Sequence, residues 1–380
     1  MSRRVAVCAV AQTRYEANKW KQRMQGLVWE VVKEVRTRTG LGYGKDQIQA
    51  TVTCSDDVFD GRTISNNAIT DVVGAHFQAE EKVSADGIQA VYYATAMILS
   101  GHYDIVLLAA HSKESQPESR NQVTHLAFDP FFGRPLGLDY VVAAALQARA
   151  FMARTGLEEE TLAALVVRSR RWAAQNPVAQ NTAPITREEV LASPYVADPI
   201  REAFMYPVSD GAIAMIFASE ERAREITDTP VWVTGVGNCY DTFNLGERDL
   251  GGGFPLNEAA RRAYRMAGIN EPHRDFDVIE IADAYVHQLP QYAEAMGIVE
   301  GGDVRTWCLT DGPERRNVNR SGGMLAGNPL LLGGLARVAE CVLQLRGEAG
   351  TRQVPHAHRA VAQGSTGPAG QLQTVVVLEN

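Results

Sequence analysis

The stretch Glu81–Ser115, EKVSADGIQAVYYATAMILSGHYDIVLLAAHSKES, constrains the fold of this chain more than any other. It opens on a tight corner, Ser84-Ala85-Asp86-Gly87. A helix-length segment without proline follows, with Ile88, Val91, Tyr92, Thr95 and Ile98 or Leu99 at helical spacing. Gly101 stops it, and Ile105-Val-Leu-Leu-Ala-Ala110 is a short apolar run that reads as a strand buried on both faces. The corner itself reads in two ways. A side chain there sits near a helix N-terminus, whose dipole favours developing negative charge, so Ser84 stands where an exposed nucleophile belongs. Serine is also among the best N-caps, and Ser84 read that way does no chemistry.

The rest of the chain continues the alternation. Arg4–Ala11 reads as a strand, Met24–Thr39 as a helix ended by Gly40, and Gln49–Cys54 as a second strand before the polar loop Ser55–Thr63. Residues 116–200 break the rhythm: a loop around Phe128–Pro135, helices over Tyr140–Thr155 and Glu158–Gln175, then prolines at 184, 194 and 199. An excursion of that length reads as a lid or partner-binding insertion. Met205–Ala218 returns to the strand pattern. A second round follows: a strand from Pro230, a helix over Leu256–Ala267, a strand over Phe276–Ala282, a helix over Leu335–Arg346 and a final strand, Thr374–Leu378. This alternation defines an α/β class with strands between helical layers.

At 380 residues the chain holds two core-sized units or one duplicated domain, and its 45% hydrophobic and 22% charged content is ordinary for a globular protein. A formal net charge of -8 argues against nucleic acid as the main partner. Cys8, Cys54, Cys239, Cys308 and Cys341 lack CxxC or Cys/His ligand spacing, so neither a disulfide framework nor a metal site is expected. No apolar run approaches the roughly 20 residues of a membrane span, and the expected compartment is the cytoplasm.

A second distinctive stretch is Asn317–Gly334, NVNRSGGMLAGNPLLLGG, whose glycines permit a backbone path and a close ligand approach that side chains forbid. Together with the corner it resembles the thiolase superfamily. There a Cys-Ala-Ser-Gly-like corner carries the acylated cysteine, and an N-x-x-G-G-x-x-x-x-G-H-P frame carries an activating histidine. Here Asn319, Gly322, Gly323, Gly327, Pro329 and Gly334 match the frame, but Ser84 replaces the cysteine and Asn328 the histidine. Asparagine can donate to an oxyanion but cannot take a proton at neutral pH. Glu280-Ile-Ala-Asp-Ala-Tyr-Val286 resembles the family's E-x-N-E-A-F-A or E-x-H-D-x-F segment, with Ala282 in place of Asn or His, Asp283 retained and Tyr285 for phenylalanine. The second family cysteine falls near Ser365, in Gly364–Gly370. The resemblance implies a five-layered α-β-α-β-α fold in two halves, 1–220 and 221–380, with the insertion in the first. It implies catalytic residues Ser84, Asn328, Tyr285, Asp283 and Ser365 on one pocket, and glycines 322, 323 and 327 against the cofactor.

Details such as Asp57–Thr63 and His111–Ser115 are similar to the sterol-carrier-type branch, which includes benzoylsuccinyl-CoA thiolase and steroid side-chain aldolases; the overall pattern is nearer the first. The resemblance therefore implies an acyltransferase that cleaves a bulky or aromatic β-ketoacyl-CoA, with coenzyme A as co-substrate and no permanent cofactor. A serine needs an adjacent base, so two alternatives stay open: a retro-aldolase of a β-hydroxyacyl-CoA with Tyr285 or Asp283 as base, and a non-catalytic scaffold. Expected partners are a second copy, paired through the Ile105–Ala110 strand, and a small zinc-ribbon/OB-fold subunit. Cys54, His76, His111 and His125 are expected to be structural or solvated rather than catalytic, whereas His287 follows Tyr285 by two residues and remains beside it as a candidate group.

Overall fold

A computed structural model describes residues 3–61 and 63–380. Its strands are β1 (Val5–Gln12), β2 (Ala50–Cys54), β3 (Ala79–Val83), β4 (Ile105–Lys113), β5 (Tyr195–Ala197), β6 (Ile200–Arg201), β7 (Asp210–Ser219), β8 (Val231–Tyr240), β9 (Val278–Glu280), β10 (Arg359–Thr366) and β11 (Leu372–Glu379). The helices that matter below are α1 (Met24–Thr39), α2 (Gly87–Leu99), α3 (Tyr140–Thr155), α4 (Glu159–Ala173), α5 (Phe254–Ala267), α6 (Gln288–Ala295) and α7 (Gly333–Arg346).

Apart from the β5-β6 hairpin the strands join in the order β3-β2-β4-β7-β1-β8-β11-β10-β9. The order reads alike outward from its centre, where β1 meets β8 through Val5↔Val233, Ala6↔Trp232 and Val7↔Val231. On one side the pairings are antiparallel β1-β7, antiparallel β7-β4, parallel β4-β2 and parallel β2-β3. On the other they are antiparallel β8-β11, antiparallel β11-β10, parallel β10-β9 and a parallel bridge from Ile279 to Val318. Two rounds of one topology are thus fused through their first strands.

Side-chain alternation along the strands separates the layers. In β4, Ile105, Leu107 and Ala109 join the core under α1, whereas Val106, Leu108 and Ala110 face a central core. In the second half, Val361, Val375 and Val377 join the core under α5, and Ala360, Ala362, Val376 and Leu378 face the centre. The central core is filled by α2 (Ile88, Val91, Ile98) and α7 (Leu335, Val338, Val342). The result is helix, sheet, helix pair, sheet, helix, the five layers that the resemblance implies. The insertion does not cover its own half. Val141, Phe151, Leu162 and Val166 of α3 and α4 pack in the outer core of the second half, with Leu256 and Ile279.

One expectation fails here. Ile105–Ala110 cannot carry the sheet into a second copy, because β4 is wholly buried and bonded on both sides, to β2 and β7. The open edge belongs to β3, whose sequence, AEEKV, is too polar to announce a strand.

Candidate active site

The Ser84 corner opens into a cavity of about 270 Å³ at the meeting of the two halves. Ser84, Tyr285 and Ser365 line it, so three of the expected residues come together. Ser84 is exposed, and its hydroxyl has no hydrogen-bond partner among the described residues. It is not the helix cap. Asp86 is: its Oδ1 accepts from Ile88 N at 3.0 Å. Its Oδ2 accepts from Gly334 N at 3.1 Å and Arg337 Nη2 at 3.3 Å, and its own N–H donates to Thr366 Oγ1 at 2.7 Å. A Cβ on Gly334 would stand 1.8 Å from Asp86 Oδ1, and one on Gly364 2.4 Å, so both glycines make the slot for this carboxyl. Burial pushes Asp86 up to about 6. The Arg337 guanidinium partly offsets that rise, and this buried ion pair, rather than Ser84, occupies the helix N-terminus.

Neither a histidine nor an ionisable thiol lines the cavity beside Ser84 among the described residues. Cys54, at the end of β2, lies under the corner and donates its thiol to Ala85 O at 3.1 Å. Burial, reinforced by the Asp86 charge, pushes that thiol far above its ordinary range. No histidine lines the cavity among the described residues. His287 is fully buried with Nε2 3.1 Å from Gln147 Oε1, and burial lowers it to about 3, so it stays neutral. His111 is buried against Asp60 at 2.8 Å, and His125 Nδ1 lies 2.8 Å from Leu138 O.

Asn328 does not reach this cavity. Its amide donates to Gly323 O at 3.2 Å, and it lines instead a void of about 10 Å³ with Tyr15, Ser321 and Glu340. The turn is held that way because Leu330 N donates to Glu114 Oε1 at 2.9 Å; Leu330 and Leu331 then face the cavity. Asp283 is equally remote: it is fully buried, Oδ1 accepts from Met324 N at 2.6 Å, and burial raises it to about 6. It holds the glycine turn rather than a substrate. The three glycines face protein, not ligand space. Each has a positive φ, and an added Cβ would meet Ala173 N at 2.9 Å (Gly322), Asp283 Oδ2 at 2.2 Å (Gly323) and Gln180 Cβ at 2.6 Å (Gly327).

Tyr285 precedes α6 and its hydroxyl makes no hydrogen bond among the described residues. Burial raises its phenol above the ordinary value, only partly offset by Arg120, so the group is protonated and acts as a donor. Among the lining residues that the sequence expectation lacked are Asp56, in the polar loop after β2, and Tyr140, at the first turn of α3. The acidic pair Asp56-Asp57 beside a strand end was the available signal for the first. Phe59, Leu126 and Leu331 make much of the remaining wall apolar. A proton donor, an exposed hydroxyl, a carboxylate and an apolar wall suit a polarised carbonyl or alcohol on a bulky carbon skeleton better than they suit a covalent acyl carrier.

Comparisons with known proteins agree with the fold. Residues 237–380 match the family described as Thiolase C-terminal domain-like. The chain is 32% identical over 389 residues, 97% of each partner, to the acetyl-CoA acetyltransferase of Methanothermobacter thermautotrophicus. It is 31% identical over 229 residues, 59% of each partner, to the benzoylsuccinyl-CoA thiolase subunit BbsB of Thauera aromatica. Among solved structures, the Ltp2-ChsH2(DUF35) aldolase superposes with a TM-score of 0.83 at 21% identity, covering 99% of this chain and 97% of that one. Human mitochondrial 3-ketoacyl-CoA thiolase superposes with a TM-score of 0.75 at 17% identity, covering 100% and 99%. Both solved structures share the fold described above. The chain belongs to the thiolase family of acyltransferases.

Proposed function

We propose that this thiolase-family enzyme cleaves the Cα–Cβ bond of a bulky CoA thioester carrying oxygen on Cβ, and that it does so by a retro-aldol route on a β-hydroxyacyl-CoA. The observation that carries this reading is the lining around Ser84: no histidine and no ionisable thiol lines the cavity among the described residues. Retro-aldol cleavage needs no acyl-enzyme. It needs the alcohol proton removed and the departing thioester enolate stabilised, and Tyr285 supplies a donor for an oxygen of the substrate. Ser84 and Ser365 add hydroxyls on the same wall. CoA is here the carrier of the substrate, and no resident cofactor is required.

The second reading, thiolysis of an aromatic β-ketoacyl-CoA such as 2-benzoylsuccinyl-CoA, is favoured by kinship to the two acyl-CoA thiolases named above and by the exposure of Ser84. The two readings separate cleanly. Under the first, Ser84→Cys leaves cleavage of a β-hydroxyacyl-CoA within a few-fold, and Tyr285→Phe lowers it by about 100-fold or more. Under the second, Ser84→Cys raises CoA-dependent cleavage of a β-ketoacyl-CoA by several orders of magnitude, and intact-mass spectrometry finds the acyl adduct. If neither substitution alters either rate, both readings fail.

The sterol-carrier-type branch and its small accessory subunit belong to the same proposal. The solved Ltp2-ChsH2(DUF35) aldolase, which couples two named components on this fold, supports the idea of a partner subunit.

A further inference from the structure

The retro-aldol route leaves one role unfilled, since Tyr285 is held protonated and Asp283 lies off the cavity. Two carboxylates line the cavity, Asp86 and Asp56. Asp86 is nearly fully buried and already accepts three hydrogen bonds, from Ile88 N, Gly334 N and Arg337. Asp56 differs. Its Oδ1 accepts from Val58 N at 2.8 Å and Phe59 N at 3.3 Å, which fixes the carboxylate plane. Its Oδ2 has no partner among the described residues.

The loop that carries Asp56 is built rather than loose. Ser55 Oγ and Ser65 Oγ, both fully buried, lie 2.6 Å apart and close its base. Asp57 accepts from Ser65 N at 2.7 Å and pairs with Lys82 of β3, which also donates to Ser65 Oγ at 3.1 Å. Four residues after Asp56, Asp60 pairs with His111 of β4 in a fully buried contact of 2.8 Å. Two strands of the sheet therefore pin the loop just after Asp56. The neighbouring Tyr140 registers the charge: burial and then Asp56 push its phenol up to about 12.

We infer that Asp56 is the general base of this site, taking the β-hydroxyl proton of the substrate on Oδ2, an inference that rests on the retro-aldol reading. The step balances within the substrate and this one residue. As the O–H proton moves to Asp56, the O–H electrons form the carbonyl, the Cα–Cβ pair leaves as the thioester enolate, and Asp56 then returns its proton to Cα. The products are an aldehyde or ketone and the shortened acyl-CoA, with no oxidant, reductant or second substrate consumed. Asp57, Lys82, Asp60 and His111 are positioning residues.

The test uses the full chain, with its co-expressed partner where one is needed, and a bulky β-hydroxyacyl-CoA. Asp56→Asn keeps the Oδ1 acceptor for the loop but cannot hold a proton. It should lower kcat by about 100-fold or more with KM within a few-fold. Asp56→Ala should be equally slow and should recover rate when formate is added, a response a purely structural residue would not show. Asp56→Asn within about fivefold of wild type overturns the inference alone, as does an Asp56→Ala loss that formate leaves untouched. A wild-type enzyme that cleaves only β-ketoacyl-CoA, and only with CoA, overturns the retro-aldol reading and the inference with it.

Discussion

Buried charge sets the character of the site residue by residue. Burial raises Asp86, Asp283, Glu114 and Glu280 above the ordinary carboxylate range, while it lowers His287 to about 3. The signs oppose one another. A carboxyl raised in the folded state binds protons that the unfolded chain does not, so its contribution to stability falls as pH rises. His287 works the other way: below the ordinary histidine range the unfolded chain takes up a proton that the folded one refuses, so its contribution is lost as pH falls from about 6.5 toward 3. His287→Gln removes that loss alone. Its urea midpoint relative to wild type should move in the variant's favour between about pH 7.5 and pH 5, and parallel profiles would show that His287 titrates normally. The sequence announced Ser84, Tyr285 and Ser365 because each replaces a residue in a legible frame. It could not announce that Asn328 turns away, because the Glu114 contact with Leu330 N is made between residues 216 apart in sequence.

Among the elements, helix-on-strand packing is tightest where α5 crosses β8. A Cβ on Gly235 would lie 2.2 Å from Ala263 O, and one on Gly237 2.2 Å from Ala259 O, so the helix backbone rests directly on the strand. Gly237→Ala must lift α5 away from β8 and should cost about 1–3 kcal/mol, read as a lower thermal midpoint. An unchanged midpoint would mean that the helix slides without loss. Most elements were legible for ordinary reasons: α1 runs from Met24 to Thr39 and stops at Gly40 in the left-handed region, and α2 and α3 also begin and end close to where periodicity and glycine place them. Two strands of the main sheet were not, nor was the short β5-β6 hairpin. β3 is a polar edge, and β10 ends in Gln363-Gly364-Ser365-Thr366, which has the composition of a turn. The pairing of β4 was misread although its nine consecutive buried residues are what an interior strand requires.

For the molecule as a whole, β3 leaves a free sheet edge on which a second strand could add. Just before it Phe77 stands 93% exposed with φ 57, a backbone setting that a bulky residue adopts at a cost. We expect a dimer built on this edge. Phe77→Asn, which suits that backbone and removes the apolar surface, should shift sedimentation toward monomer at micromolar concentration while raising the thermal midpoint of the monomer. An unchanged dimer would place the interface elsewhere. The other large-scale feature is the exchange of cover between halves. The insertion of the first half roofs the second, and the slot for Asp86 in the first half is cut by Gly334 and Gly364 of the second. Inheritance feels this arrangement. A recombination event that joined the first half of this gene to a second half lacking Gly334 or Gly364 would deliver the aspartate without its slot, so the two halves are constrained to change together at these positions.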